Sequence, residues 1–499
     1  MDRARTDLIL IRLSGDLTTK AKGTRRRFQD RLVHNLEDAL KTEGIAYTLR
    51  KAWSRLYVEA PDERALELIP RVFGVQSISP VEVRAVTGLD DIVRDGEQLF
   101  KDQVAGKRFA VRARRTGEHD FSSMDVQRSL GAALNPYARV DLDDPQVTVR
   151  VEIRGDRAYF FTDRIAGFGG LPIGVEDRAV ALVSGGFDSA VASWMMLKRG
   201  VLLDYVFCNL GGVAHEHGVL QVMKVLADRW SYGYRPQIHL VTFDPVLEAI
   251  QSQVQPRYWQ LILKRLMYRV AERIANRNRT VAIITGEAVG QVSSQTLANL
   301  HALSGIVELP ILRPLLGFDK NEIMAYARRI GTYELSATVK EYCAIVPHHP
   351  ATRARRAVVD RQEEKLDLSL LDPLIAERRV LDLRSLTSAD LEIPALEISE
   401  IPEGAQIIDL RNRQSYETWH YPEAVHMDFT EVLRSYTAFE RGKTYILYCE
   451  WGLKSTHLAE LMRDAGYQAY NFQGGLKRLL RYAAERDLIP PEVVPFHRL

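Results

Sequence analysis

The sequence predicts a multidomain protein in which α+β units come first and α/β units follow. At 499 residues the chain is too long for one hydrophobic core, and roughly three or more domains are expected. Hydrophobic residues make up 46% and charged residues 26% of the chain, which is typical of a globular protein. Successive alternations of strand-like and helix-like patterns indicate the class of each unit.

The first two units are predicted to be α+β domains. Residues 1–85 show the order strand, helix, strand, strand, helix, strand, which is that of the ferredoxin-like arrangement. The last of these strands is expected to run through "VQSISPVEV". Residues 86–165 are expected to form a second α+β unit around the basic strand "KRFAVRARR".

The rest of the chain is predicted to be α/β. Residues 166–350 begin at the glycine-rich "GFGGLPIG" and then alternate strands with helices, which predicts a doubly wound parallel sheet. Residues 351–403 are charged and poor in strand patterns, so we expect a helical linker there. A compact α/β pattern resumes over residues 404–499.

Charge, hydropathy and cysteine content limit the classes of function. The formal net charge is +2, so affinity for nucleic acid has to come from local basic patches. The sequence shows neither an apolar run of about 20 residues nor a cationic leader, so we expect a cytoplasmic protein without a membrane span. The three cysteines lie far apart, which argues against a disulfide framework and against a structural zinc site. No dedicated metal-ligating residues are therefore expected.

The segment "SGGFDS", residues 184–189, follows a buried strand and opens an amphipathic helix. Gly185 and Gly186 let the backbone approach a ligand closely, and the start of a helix favours an anion. The lysine and hydroxyl pair of a Walker A loop does not follow these glycines, which favours chemistry other than transfer of a terminal phosphoryl group. The alternative is a glycine turn that binds nothing.

This segment resembles that of the PP-loop ATP pyrophosphatases, which cut ATP between its α and β phosphates and adenylate a substrate oxygen. The resemblance implies ATP as the cofactor. It also implies that the pyrophosphate is held by Ser184, Gly185, Gly186, Asp188 and Ser189. The Asp188 carboxylate, beside phosphates, is best interpreted as a group linked to Mg²⁺, and the alternative is a helix N-cap.

A second loop, "TGEAVGQVSSQT" over residues 285–296, follows another predicted strand. Loops at the carboxyl ends of parallel strands are where such sheets bind ligands. Gly286 is expected to allow close approach to the nucleotide, and Gln295 to hydrogen-bond it. A purely structural turn is the alternative.

Cys449 ends a run of β-forming residues and begins the loop "YCEWGLKS". Loop N–H groups and the start of the following helix can stabilise a thiolate there and lower its pKa. Lys454 follows Cys449 after four intervening residues, a loop shorter than the Cys-x5-Arg loop of phosphatases and suited to a sulfane sulfur. An inert buried cysteine is the alternative.

The loop and the preceding "QIIDLRNRQSYETWHYPEAVHMDF" together resemble a rhodanese domain, with Cys449 as the catalytic residue. The matching residues are Asp409, Arg411, Glu417, His420, Pro422 and Ala424. Glu450 stands where rhodaneses often have arginine, which weakens the local positive field. Of the other cysteines, Cys208 lies in the apolar "YVFCNL" and is predicted to be a core residue.

The N-terminal units carry basic residues suited to phosphates. Strand alternation places Arg108, Arg112 and Arg114 on one face of "KRFAVRARR" and its apolar residues on the other. Arg25, Arg26 and Arg27 add charge near a helix start. A solvated charged face is the alternative, but "GKRFAVRARRTGEHDFSSMDVQRSLGAAL" resembles the THUMP domain, an RNA-binding unit of tRNA-modifying enzymes.

Taken in order, these units resemble the bacterial tRNA sulfurtransferases, or 4-thiouridine synthetases, over essentially the whole chain. The resemblance implies that a cysteine desulfurase passes sulfur to Cys449 as a persulfide while the N-terminal units bind tRNA. ATP with Mg²⁺ adenylates O4 of a uridine, and the Cys449 sulfur displaces AMP. Cys343, in "TVKEYCAIV", then closes a disulfide that a thiol reductant reopens.

The same resemblance implies further properties. Leu182, Val183 and Lys264 match ATP-contact positions of the family, together with Gly286 and Gln295. A homodimer is implied, as is sulfur transfer to a sulfur-carrier protein for the thiazole of thiamine. Two alternatives stay open: a sulfur carrier for thiamine alone, and an RNA-binding protein whose rhodanese tail is not catalytic.

Overall fold

A computed structural model shows the fold of the chain in two compact units. The first comprises Met1–Glu176, Leu197–Leu202 and Arg229–Tyr234, and the second Asp177–Met196, Leu203–Asp228 and Arg235–Leu499. The residues described are 7–339, 349–391, 396–450, 452–486 and 488–489. Among these residues, none of the helices combines the length and the apolar character that crossing a membrane requires.

The N-terminal domain has the predicted ferredoxin-like arrangement. Its elements are β1 (Leu8–Leu13), α1 (Gly15–Thr18), α2 (Lys22–Thr42), β2 (Thr48–Lys51), β3 (Arg55–Glu59), α3 (Arg64–Leu68) and β4 (Val75–Pro80). The strands pair in the order β4-β1-β3-β2, and both neighbours of β1 are antiparallel to it. One face of α2 is buried on this sheet, as the spacing of Phe28, Leu32, Leu36 and Leu40 predicted.

The second domain follows with a sheet of its own. Its elements are β5 (Glu82–Ala85), α4 (Leu89–Val104), β6 (Arg108–Thr116), α5 (Ser123–Leu134), β7 (Arg139–Val140), β8 (Val147–Arg154), β9 (Arg157–Phe161) and β10 (Ile165–Ala166). The order is β5-β9-β8-β6-β7, while β10 pairs with β4 in the first sheet. A capping box between Ser122 and Asp125 begins α5.

The run "VQSISPVEV" is two strands, not the single strand predicted. β4 ends at Pro80 and β5 begins at Glu82, and the two belong to different sheets. Val81 between them is buried in a cluster with Leu10 and Tyr159. Both halves keep the alternation of a strand, so the pattern alone cannot reveal that their partners differ.

The third domain is the predicted sheet of mostly parallel strands. Its first elements are β11 (Arg178–Leu182), α6 (Phe187–Lys198), β12 (Leu202–Asn209), α7 (Gly212–Trp230), β13 (Gln237–Thr242), α8 (Asp244–Gln253), α9 (Trp259–Arg277) and β14 (Ile283–Ile284). They are followed by α10 (Leu297–Leu303), β15 (Ile311–Leu312), α11 (Lys320–Ile330), α12 (Tyr333–Thr338), α13 (Arg356–Glu363), α14 (Leu371–Ala376) and β16 (Arg379–Asp382). The order is β15-β14-β11-β12-β13-β16.

Residues 351–403, expected to be a linker, instead extend this third domain as far as Asp382. β16 pairs antiparallel with β13 at the edge of the sheet. Val359 of α13 and Leu371 of α14 are buried in the same core as the strands. The apolar residues of these short helices are too few and too widely separated by charges to show a clear helical stripe in the sequence.

The C-terminal domain is a rhodanese-like α/β unit. Its elements are β17 (Glu397–Ile398), β18 (Gln406–Asp409), α15 (Arg413–Thr418), β19 (Val425–His426), α16 (Phe429–Ser435), β20 (Thr444–Tyr448), α17 (Leu453–Asp464), β21 (Gln468–Phe472) and α18 (Gly475–Ala484). The strands pair in parallel in the order β17-β21-β20-β18-β19. The predicted fold class is therefore confirmed for all four domains.

Candidate active site

The phosphate-loop candidate lies at the carboxyl end of β11. Gly185 has a φ of +75°, and a Cβ there would lie 3.0 Å from the side chains of Val219 and Val339, so the turn requires glycine. The Ser189 hydroxyl accepts a hydrogen bond from the Ser184 amide at 3.3 Å and donates one to the Gly186 carbonyl at 3.2 Å. These bonds close the loop at the start of α6, where the helix favours an anion.

Asp188 stands at the edge of this loop and is bound by other segments. Lys320 Nζ lies 3.1 Å from one carboxylate oxygen, and Gln291 Nε2 donates to the other at 3.1 Å. The side chain keeps partial exposure, so a single carboxylate is available beside the loop. Mg²⁺ in nucleotide sites commonly uses one or two carboxylates plus substrate phosphates, and Asp188 fits that requirement.

Gly286 lies against the first turn of α6. A Cβ at this position would be 2.6 Å from the Asp188 carbonyl carbon and 2.7 Å from the Ser189 nitrogen. In the structure, Gly286 approaches the backbone of the helix start. Its expected close approach to the nucleotide stays a prediction. Gln295 Oε1 accepts from the Ala288 amide at 2.9 Å and so shapes the same loop.

Lys264 reaches this second loop from α9. Its Nζ lies 2.9 Å from Oε1 of Glu287, and Arg313 Nε lies 2.7 Å from Oε2. Burial by itself raises the pKa of Glu287, but Lys264 and Arg313 outweigh burial and the pKa falls to about 2. Lys264 is therefore directed into the site and is not a solvated helix lysine. The sequence indicated neither Glu287 nor Arg313.

Leu182 and Val183 form the end of β11 and the entry to the phosphate loop. The Val183 amide donates to the Val206 carbonyl at 3.0 Å, which ties the entry to β12. Leu182 packs against the core of the domain. Cys208 is buried in the same core, and burial raises the pKa of its thiol, as expected for a structural cysteine.

Cys449 follows β20 directly and is only 5% exposed. Oγ of Ser455 lies 3.3 Å from its Sγ and donates to Asn471 Oδ1 at 2.6 Å, and the Cys449 carbonyl accepts from the Leu476 amide at 3.1 Å. Gly452, with a φ of +79°, is the N-cap residue of α17. The sulfur thus lies beside a hydroxyl group at a helix start, a position that suits a persulfide.

The Asp-x-Arg motif braces the strand that ends at Cys449. Arg411 forms a two-bond pair with the Asp409 carboxylate, and the Tyr448 hydroxyl donates to the same carboxylate at 2.7 Å. Asp409 is fully buried. Because Tyr448 directly precedes Cys449, these bonds hold the end of β20 from which Cys449 follows. Cys343, the other predicted sulfur residue, lies outside the described residues.

Two of the three arginines predicted on β6 are exposed. Arg112 and Arg114 face outward, whereas Arg108 is paired with Asp144 at 2.7 Å and with Asp141 at 3.3 Å. Arg112 lies opposite Arg150 of β8. Burial, then the charges of nearby arginines including Arg112 and Arg114, lowers the pKa of Arg150. The sequence could not reveal this basic cluster, because the cluster depends on the register between β6 and β8.

The arginines at the start of α2 lie beside an exposed aromatic ring. The Arg25 guanidinium is 4.2 Å from the centre of the Trp53 ring, which is 72% exposed. Arg26 and Arg27 are exposed on the same helix. An exposed tryptophan with a cation over its face is suited to stacking on a nucleotide base.

Comparison with known protein families assigns every domain. Residues 8–79 match the ThiI ferredoxin-like domain and residues 86–163 the THUMP domain. Residues 174–368 match the family described as thiamine biosynthesis protein (ThiI), and residues 396–481 match the rhodanese-like domain. The THUMP and rhodanese resemblances are thereby confirmed.

Relatives that match nearly the whole chain include tRNA sulfurtransferases from two organisms. The chain is 41% identical to the tRNA sulfurtransferase of Pyrobaculum aerophilum, over 94% of this chain and 96% of that protein. It is 35% identical to the tRNA sulfurtransferase of Escherichia coli, over 92% of this chain and 98% of that protein. Because archaeal and bacterial proteins are both among these relatives, the expected restriction to bacterial proteins is not supported.

A solved structure supports the same relationship. The fold is similar to that of a 4-thiouridine synthetase in complex with RNA and bound ATP, with a TM-score of 0.67 and 30% identity. That match covers 76% of this chain and 99% of the other. The structure of PH1313 from Pyrococcus horikoshii matches with a TM-score of 0.51 at 24% identity, which shows a shared fold.

Proposed function

The chain belongs to the tRNA sulfurtransferase family, and we propose that it converts a uridine of tRNA to 4-thiouridine with sulfur carried on Cys449. One observation carries the proposal. A closed phosphate loop at Ser184–Ser189 and a cysteine at a helix start occur in the same compact unit. The first suits activation by ATP, and the second suits delivery of sulfur.

In the activation step, O4 of the uridine attacks the α phosphate of ATP and pyrophosphate leaves. The pyrophosphate is held at the start of α6 by Ser184, Gly185, Gly186 and Ser189. The positive end of the helix dipole stabilises its negative charge there. Asp188 would hold Mg²⁺, which would supply positive charge to offset the charge of the phosphates. Lys264 keeps the Gly286–Gln295 loop beside the nucleotide through Glu287.

In the transfer step, a cysteine desulfurase first loads Cys449 as a persulfide. The terminal sulfur attacks C4 of the activated uridine, and AMP leaves. The Cys343 thiolate then attacks Sγ of Cys449, which releases 4-thiouridine and leaves a Cys343–Cys449 disulfide. An external thiol reductant reduces that disulfide and restores both thiols.

Binding of tRNA is assigned to the N-terminal domains. Arg112, Arg114 and Arg150 offer positive charge on the second sheet, and Arg25 to Arg27 offer it on α2. Phosphate contacts of this kind position an RNA without reading its sequence. By resemblance to the family, we also propose a homodimer in which one tRNA contacts both subunits.

The test combines purified protein, unmodified tRNA, ATP with Mg²⁺, a cysteine desulfurase and cysteine, followed by mass spectrometry of the nucleosides. The expected product is 4-thiouridine with the unchanged protein and with the control variant Cys208→Ala, and none with Cys449→Ala. Cys343→Ala is expected to stop repeated turnover. If Cys449→Ala still forms 4-thiouridine, the chain is an RNA-binding protein whose rhodanese domain is not catalytic.

A second function is favoured by the family match over residues 174–368, whose description is thiamine biosynthesis. We propose that the Cys449 persulfide also supplies sulfur to a sulfur-carrier protein for thiazole formation. The test is formation of a thiocarboxylate on such a carrier, followed by intact-protein mass spectrometry. A carrier that stays unmodified while tRNA is thiolated rules out this second function.

A further inference from the structure

The helix that follows the sulfur loop is attached to the nucleotide domain. Oε2 of Glu460, on α17, accepts a hydrogen bond at 2.7 Å from the amide of Val213 in the first turn of α7. Glu460 is only 5% exposed. The first four amides of a helix lack partners within it, and a carboxylate at that end is favoured by the helix dipole. Glu460 therefore caps α7 from another domain.

Gly212 makes room for this contact. Its φ is +71°, which favours glycine, and a Cβ there would collide with the Glu460 carboxylate. The same Cβ would lie 2.5 Å from Nδ1 of His457, which is three residues before Glu460 on α17. Residues three apart share one face of a helix. The two side chains thus form one contact surface against the start of α7.

His457 extends the surface to the next helix. It is buried, and its Nε2 lies 3.7 Å from Oδ1 of Asp244 at the start of α8. The helices α7 and α8 follow the carboxyl ends of β12 and β13, and β12 is the neighbour of β11, which carries the phosphate loop. The helix α17 therefore contacts the nucleotide domain at the carboxyl ends of the strands, which is also where the phosphate loop lies.

The start of α7 also connects to the phosphate loop. His215, two residues after Val213, packs edge-on against Phe207 with ring centres 5.0 Å apart. Burial lowers the pKa of His215 to about 4, and an interaction with the Ser184 backbone opposes that shift. Val219, on the same helix, lies 3.0 Å from the place of a Cβ on Gly185, so α7 contacts both the phosphate loop and the helix that begins after Cys449.

The contact is polar although it is buried. Burial raises the pKa of Glu460 to about 7, and the charges of Asp464 and Glu216 act in the same direction. Burying a carboxylate is costly, and an apolar contact of similar size is often at least as stable. A polar contact of this kind favours one orientation of the two surfaces over others.

We propose that Glu460 and His457 are positioning residues for sulfur transfer. They seat α17 on the carboxyl edge of the nucleotide sheet, so that the Cys449 loop delivers sulfur from a docked rhodanese domain and not from a freely moving one. The inference rests on the proposed function in one respect, namely that the sulfur delivered is the one on Cys449.

The docked contact is tested first, without any reaction. Amide hydrogen exchange of the full chain is compared between the unchanged protein and the variants Glu460→Ala, Glu460→Gln and Glu485→Ala. The Val213 amide is expected to exchange about 10-fold faster or more in Glu460→Ala. Exchange is expected to stay unchanged in Glu460→Gln, which keeps an acceptor oxygen, and in Glu485→Ala, which removes an exposed carboxylate of the same domain. Equal exchange in the unchanged protein and Glu460→Ala overturns the proposal.

Sulfur transfer is measured second, in a single turnover from protein preloaded with a Cys449 persulfide. Glu460→Ala and Gly212→Ala are expected to slow transfer to tRNA about 10- to 100-fold, since small displacements of a reacting group have effects of that size. Persulfide loading and ATP affinity are expected to be unchanged, and Glu460→Gln to restore most of the rate. If Glu460→Ala and Gly212→Ala both transfer sulfur at the rate of the unchanged protein, the positioning role is overturned.

The two measurements separate this inference from the function on which it rests. If the unchanged protein forms no 4-thiouridine, the proposed function fails, while hydrogen exchange still shows whether the domains dock. If 4-thiouridine forms and neither the exchange of Val213 nor the transfer rate depends on Glu460, the function stands and the docking inference is wrong.

Discussion

Lys264 Nζ lies 2.9 Å from Oε1 of Glu287, a carboxylate that is only 4% exposed. Arg313 binds the other oxygen of that carboxylate at 2.7 Å. Three segments that are distant in sequence therefore meet at one buried charge beside the phosphate loop. The orientation of the Gly286–Gln295 loop depends on this contact.

Removing Lys264 is expected to destabilise the nucleotide domain. Lys264→Met leaves Glu287 buried with one cation in place of two, and breaking a buried pair costs about 3 kcal/mol or more. The measurement is urea unfolding of the transition that reports on this domain. The matched control is Arg235→Met, because the Arg235 side chain is 72% exposed and pairs with Asp382 at 2.8 Å, and exposed pairs contribute less than about 1 kcal/mol. Equal losses in the two variants contradict the prediction.

The same carboxylate makes stability depend on pH. The pKa of Glu287 is lowered from 4.5 to about 2, so its contribution is fully present above pH 4.5 and is lost as the pH falls toward 2. A shift of this size corresponds to about 3 kcal/mol. The difference in free energy of unfolding between the unchanged protein and Glu287→Gln is expected to shrink steadily from pH 5 to pH 3. A difference that does not change over this range contradicts the assignment.

Gly286 is expected to tolerate no side chain. In Gly286→Ala the new Cβ would meet the backbone of Asp188 at 2.6 Å, and backbone cannot give way as a side chain does. We expect a loss of about 1–3 kcal/mol in stability and weaker binding of ATP, because the start of α6 must shift. Titration calorimetry with ATP measures the second effect. Gly317→Ala is the control, since a Cβ at Gly317 meets nothing within 4 Å.

The Ser455 hydroxyl is expected to assist sulfur chemistry at Cys449. Its Oγ lies 3.3 Å from Sγ and donates to Asn471 Oδ1 at 2.6 Å. When the sulfur carries charge, the hydroxyl can turn its proton from Asn471 to the sulfur, and a hydrogen bond to a charged group is worth about 1.5 kcal/mol or more. Ser455→Ala is therefore expected to slow persulfide formation about 10-fold, measured by trapping the persulfide and mass spectrometry. Thr456→Ala is the control, because that hydroxyl bonds the Gly452 carbonyl at 2.6 Å and not the sulfur. If persulfide formation slows equally in both variants, the substitutions act by disturbing α17 and not through a contact with the sulfur.

The arginines of β6 are expected to differ in their effect on tRNA binding. Arg112→Ala and Arg114→Ala each remove an exposed charge, and removing one arginine–phosphate interaction lowers the slope of log K against log salt by roughly 0.7 to 0.9. Arg108→Ala is expected to change the slope less, because Arg108 is already paired with Asp144 and Asp141. Binding of tRNA at several salt concentrations measures these slopes. A larger effect for Arg108→Ala than for Arg112→Ala contradicts the prediction.

What could be predicted from the sequence was largely local. The turn at Ser184–Ser189 and the cysteine loop at Cys449 are each a strand, a glycine-containing turn and a helix in one continuous segment. Backbone geometry alone confines such a segment to a few conformations, so its residue types indicate both its shape and its chemistry. The alternation along β6 likewise predicted that Arg112 and Arg114 point outward, because side chains of a strand alternate between faces.

What the tertiary structure decided involves partners that are distant in the chain. Glu460 is 247 positions from Val213, and Lys264 is 23 positions from Glu287, and neither pair has a local pattern that marks it. The split of "VQSISPVEV" between two sheets and the pairing of β16 with β13 are of the same kind. Contacts of this kind depend on how separate segments pack and on which charges become buried together. Those quantities are set only when the chain has folded, so only the three-dimensional arrangement shows them.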